Sequence, residues 1–188
     1  MKKILIVGAM LGLWFGTASA ISARETQAQL IQELSATNST DVITDAMSEL
    51  ERRNDRGDSQ ANAVPALKLL LPDDRSLVRR KAARLLGIFH AQLTDAEVQE
   101  VCRQLHSTSR EAESALKALQ DLDAKSAVPE VILMLRHSDT YVVRDACRTL
   151  AVIGDKSAIP SLEPLLQSPN KSVVKDAQKA IDQLKARS

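Results

Sequence analysis

Aromatic side chains are nearly absent: the 188 residues hold two Phe, one Tyr and one Trp. Trp14 and Phe15 fall within the first 20 residues, which leaves Phe89 and Tyr141. Stacking on nucleobases or sugar rings therefore has little to work with. The formal net charge of +1 gives no global attraction to nucleic acid either. Glycine is scarce at six residues, and no Gly-rich loop of the phosphate-cradling kind occurs. The three histidines, His90, His106 and His137, form no zinc-spaced cluster with cysteine. His106 and His137 lie in equivalent turns 31 residues apart, and two imidazoles make only a partial metal site. No nucleophile has an evident base nearby in sequence. No catalytic, cofactor or metal site is expected, and the protein reads as a non-enzyme.

Only one long apolar run exists. Met1-Lys2-Lys3 precedes the uncharged stretch Ile4 to Gly16, and Thr17-Ala18-Ser19-Ala20 offers small residues to a signal peptidase. This pattern is that of a secretory leader cut after Ala20. The run, about 13 residues, is short of the ~20 that a membrane-spanning helix needs. No cysteine follows the cut, so a lipid anchor is not expected. The expected compartment is the bacterial periplasm or beyond. Loss of Lys2 and Lys3 takes the formal charge from +1 to −1. Cys102 and Cys147 remain, and in an oxidising compartment they could pair. Two small buried thiols is the plainer reading.

What the chain does have is a repeat. From Val142 the apolar residues step through Ala146, Leu150 and Ile153, one stripe of an α-helix. The same steps run from Val78 (Ala82, Leu86, Phe89) and from Val173 (Ala177, Ile181, Leu184). From Val42 they give Ala46 and Leu50, with Arg53 last, and from Glu111 they give Ala115, Leu119 and Leu122. A shorter apolar segment precedes each helix. Three of them open on Pro65, Pro129 and Pro160, and weaker versions span Ala96 to Leu105 and Glu25 to Leu34. A proline suits the first turn of a helix, where its missing N–H costs nothing. Ser39, Asp139 and Asn170 stand where short polar side chains cap free amides.

The expected fold is all-α: an α-solenoid of about five stacked helical hairpins recurring at mostly 31 to 33 residues. Residues 21–188 read as one repeat domain, with units at about 25–57, 63–94, 95–126, 127–157 and 158–188. Ala146 is expected in a crowded seam between hairpins and Ala151 on the outward side. Arg56-Gly57-Asp58, an integrin-type tripeptide, lies in the one long insertion, where a polar Gly-containing loop is explanation enough.

"SLVRRKAARLLGIF", "YVVRDACRTLAVIGDKSAIP" and "AIPSLEPLL" resemble HEAT repeats of the short bacterial kind, also described as PBS-lyase-like. Val78-Arg79, Ala82, Leu86-Gly87, Ile153-Gly154-Asp155 and Ala158-Ile159-Pro160 match that pattern. Val143 and Val174 stand where the pattern has Arg. The resemblance implies a binding scaffold. Some members are phycobilin lyases, and relatives hydroxylate a modified lysine through paired His-Glu motifs, none of which occurs here.

One feature stands out on the second helices. Positions two and six after the template Val lie opposite the apolar stripe. They read Thr44/Ser48, Arg80/Arg84, Glu113/Lys117, Arg144/Arg148 and Lys175/Lys179. If second helices line a concave face, Arg80, Arg84, Lys117, Arg144, Arg148, Lys175 and Lys179 form a basic column at helix spacings of about 8–10 Å. All seven are expected to point away from the core, so that reversing Arg144 and Arg148 would spare the fold. The expected partner is a protein with an acidic surface or segment, bound by a monomer. An anionic envelope polymer or membrane surface is the alternative, and a lyase-type enzyme a remoter one. A solvated helix face is the plain reading of the same charges.

Overall fold

The computed structural model describes residues 26–187. The leader read in residues 1–20 lies outside them. Ten α-helices, and no strand, occur among the described residues. They pair as α1 (Gln27–Glu33) with α2 (Thr40–Asp55), α3 (Val64–Leu69) with α4 (Ser76–Ile88), and α5 (Asp95–Arg103) with α6 (Ser109–Asp121). Then α7 (Val128–Met134) pairs with α8 (Thr140–Ile153), and α9 (Ile159–Leu162) with α10 (Lys171–Ala186). The second helices of successive hairpins stack directly: α2 on α4, α4 on α6, α6 on α8 and α8 on α10. The molecule is an α-solenoid of five hairpins.

Local chemistry sets the boundaries. Pro65, Pro129 and Pro160 each occupy the first turn of their helix. The side chains of Ser39, Asp139 and Asn170 accept from the amides of Val42, Tyr141 and Ser172. The helix begun at Ile159 lasts four residues before tightening into a 3-10 segment, Glu163–Gln167. Pro164 explains this, because its ring would collide with the Pro160 carbonyl and it has no N–H for the ladder. Helix α2 closes on the insertion: Asp58 N–H donates to Arg53 O at 3.0 Å and Gly57 N–H to Asn54 O at 2.9 Å. Gly57, at φ +89°, supplies the left-handed residue this ending needs. The Arg56-Gly57-Asp58 tripeptide is a helix terminator.

The stripes become one continuous core. Val142, Ala146, Leu150 and Ile153 are buried, as are Val78, Ala82 and Leu86, and Val173, Ala177, Ile181 and Leu184. Small residues set the close approach: a Cβ on Gly87 would sit 3.3 Å from the Ala118 backbone across the α4–α6 seam. Cys102 and Cys147 are buried and free, and burial pushes both thiols up to about 12.

Two expected placements are corrected. Val42 is 40% exposed, and Ile43 and Met47 carry the burial of α2 beside Ala46 and Leu50. Its hairpin has no neighbour on the preceding side among the described residues. Ala151 is only 6% exposed and not outward. The Arg187 guanidinium folds back onto the Ala151 and Gly154 carbonyls and covers this end of α8. Among the described residues, no helix is long and apolar enough to cross a membrane.

Candidate binding groove on the second helices

The faces of α4, α6 and α8 that point away from their own first helices enclose a groove of about 680 Å³. Its charged lining is Arg80, Arg110, Glu113, Lys117, Asp145 and Arg148. A second cleft of about 280 Å³ shares Gln120 and Arg148 with it and continues to Asp176 and Lys179 of α10. A path therefore runs along four consecutive second helices. Thr149 closes its floor by donating to the Leu116 carbonyl at 3.2 Å across the α6–α8 seam.

The seven cations of the expected column do not behave alike. Arg84 reaches back to Glu51 of the preceding hairpin, Nη1 to Oε2 at 2.9 Å. Lys117 holds Asp121 on its own helix at 2.6 Å. Arg144 and Arg148 both grip Asp176 of the next hairpin at 2.9 Å, and Arg148 also holds Asp145 at 2.8 Å. Arg80, Lys175 and Lys179 have no carboxylate partner among the described residues. Arg80 and Lys117 line the large groove, Arg148 lines both cavities, and Lys179 lines the smaller one. Arg84, Arg144 and Lys175 line neither.

The expectation that all seven point freely away from the core is corrected here. Arg144 is mostly covered, and its ion pair with Asp176 bridges the α8–α10 seam. Reversing Arg144 and Arg148 would set three carboxylates against one another and strain the stack. Thr44, at an equivalent position, is buried and donates to the Asp41 carbonyl. The other residues of this layer also tie hairpins together. Lys81 Nζ donates to Ser48 Oγ at 2.8 Å and to the Thr44 carbonyl at 3.1 Å. Burial lowers the Lys81 pKa.

Arg110 is the groove residue that template positions two and six miss. It stands one residue before the template site, yet 110, 113 and 117 share a helix face at spacings of three and four. Like Arg80, it has no carboxylate partner among the described residues. The histidines do not come together: His106 faces Glu130 at 3.4 Å, His137 accepts from the Asp139 amide, and His90 contacts the Asp121 carbonyl. No group of three or more His, Cys, Asp or Glu suited to a metal ion occurs among the described residues.

The family model for HEAT repeats matches residues 99–182. The match spans most of hairpins three to five, and the first two continue the same helix pairing. Among solved structures, the chain is similar to the complex of CpcE and CpcF of phycocyanin lyase from Nostoc sp. The identity is 23%, over 94% of this chain and 71% of that one, with a TM-score of 0.68. It is also similar to an engineered protein, at 24% identity over 85% and 79% of the two chains and a TM-score of 0.64. A designed armadillo repeat protein in complex with the peptide (KR)4 follows, at 18% identity over 84% and 81% and a TM-score of 0.62. Identities this low show a shared fold. No match was found among curated proteins.

Proposed function

We propose that the protein is an exported, non-catalytic HEAT-repeat scaffold that holds an acidic segment of a partner protein in the groove on its second helices. The groove's free cations support this reading: Arg80 and Arg110 flank a cavity of about 680 Å³ and have no carboxylate partner among the described residues. Lys179 extends the cationic path into the adjoining cleft. Glu113 stands among these charges, so a fitting segment places a donor opposite it and carboxylates on either side. The designed armadillo protein of the same fold was solved with a basic peptide; the free charges here favour an acidic one. Export rests on the leader pattern of residues 1–20, and the protein acts as a monomer.

The test is titration of acidic peptides of about ten residues by fluorescence anisotropy, at low and high salt. A matched basic peptide and an anionic polysaccharide serve as comparisons. The acidic peptide binds, and salt weakens it. Single exposed charges are worth ~0–1 kcal/mol, so Arg80→Glu and Lys179→Glu are combined, with a several-fold loss expected. Neither residue bridges a seam, so the melting temperature holds. Equal binding of acidic and basic peptides would sink the proposal, and capture of the polysaccharide alone would transfer the groove to an envelope polymer.

A further inference from the structure

Where the first helices turn into the second helices of hairpins two and three, the chain leaves a separate pocket of about 350 Å³. Leu71, Asp74, Arg79, Arg103, Gln104 and His106 are among its walls. Gln104 is 2% exposed, and neither its Nε2 nor its Oε1 has a hydrogen-bond partner. Among the described residues these are the only buried side-chain polar atoms in that condition.

The fold does not ask for glutamine there. Gln104 stands four residues before the cap Thr108, and Leu71 and Leu135 stand four before the caps Arg75 and Asp139. Both leucines are buried. An amide in their place, left unpaired, costs stability with no return from packing. The neighbouring polar groups are engaged. Arg79 donates to the Asp73 and Asp74 carbonyls and to Glu111, while Arg103 holds Glu100 at 2.8 Å. The Ser107 hydroxyl is bonded to Glu111, and the side chain of Asp74 lies exposed. What stays unpaired under cover is one N–H donor group and one C=O on a single planar amide.

We propose that this pocket binds an amide, which offers the matching C=O and N–H side by side. Two sources share that chemistry: a carboxamide side chain, and one residue of an extended chain, whose N–H and C=O point to the same edge. The Gln104 amide atoms are shut off from the open pocket. A ligand reaches them only when the rim moves, and Arg103 and His106 are exposed side chains of that rim. Displacing them gives up a 3.4 Å contact to Glu130 and one surface ion pair. The site lies apart from the groove on the second helices and does not rest on that reading.

The experiment follows the Gln104 side-chain resonances of ¹⁵N-labelled protein during titration with three probes. Propanamide represents the carboxamide, N-acetylglycine N-methylamide the extended residue, and propanoate an anion without a donor. Saturable shifts at Gln104 and Ser107 are expected with at least one amide probe, and which one responds identifies the source. Propanoate gives none. Gln104→Leu abolishes the shifts and raises the melting temperature by roughly 2–4 °C, the gain from removing an unpaired amide. Absence of saturation by both amides up to about 100 mM, where fragment-sized ligands bind, overturns the proposal. So does an equal response to propanoate, survival of the shifts in Gln104→Leu, or a lower melting temperature for that variant.

Discussion

Glu111 stands where three other second helices carry Val78, Val142 and Val173, and it is 3% exposed. A buried carboxylate survives only with partners. Burial pushes its pKa up, but hydrogen bonds from Ser107 and Ser76 and the charge of Arg79 outweigh this and hold it below the usual value. Arg79 Nη2 lies 3.3 Å from the carboxylate, across the α4–α6 seam. Removing one member of such a pair strands the other. Arg79→Ala is expected to cost about 3 kcal/mol in urea unfolding. Glu111→Val together with Arg79→Leu, which restores the valine of the other hairpins, should be neutral or stabilising. A double variant as weak as Arg79→Ala would mean that the seam needs the charge pair itself.

At the scale of the element, three of the five second helices end alike although their sequences differ. Gly57, His90 and Asp123 all take positive φ, the last two at 48°. In each case the next amide reaches back five residues: Asp58 to Arg53, Ala91 to Leu86 and Ala124 to Leu119. Only the first of the three has the residue for which this conformation costs nothing. Asp123 is well exposed, and its 3.5 Å pair with Lys125 is a surface contact of little worth. Asp123→Gly should therefore stabilise by about 0.5–1 kcal/mol, read as a raised denaturant midpoint with unchanged slope. A lower midpoint would show that the aspartate does more at this turn than tolerate it.

Across the whole molecule, carboxylates bound to neighbouring cations couple stability to pH. Asp73 is lowered from 3.8 chiefly by its bond from Arg75, and Glu49 from 4.5 chiefly by its bond from Arg53. Glu97 and Glu111 also end below 4.5, although burial works against them. A carboxylate lowered in the folded state adds stability that is complete above its unfolded pKa and is lost as pH falls through the folded value. The denaturant midpoint should stay level from pH 7 to about 5 and drop steadily below about 4. A midpoint unchanged at pH 3 would contradict the network. Because hairpins touch only their neighbours, this loss should begin at the polar seams rather than throughout the stack.

Repeat unit, helix caps and apolar stripes were legible in the sequence, because each depends on local residue spacing. Ser39, Asp139 and Asn170 cap their own helices. The basic column was legible only as a pattern. Whether a cation is free depends on a side chain about one repeat away: Arg144 meets Asp176, Arg84 meets Glu51, and Arg80 meets no carboxylate among the described residues. The period brings such positions into register, but rotamer and burial decide which of them close. Arg110 joined the groove, Ala151 gained a strap and Gln104 was sealed without a partner, all through packing beyond the single helix. Stacking is a long-range event, and the energies that settle it are properties of the seam and not of either helix alone.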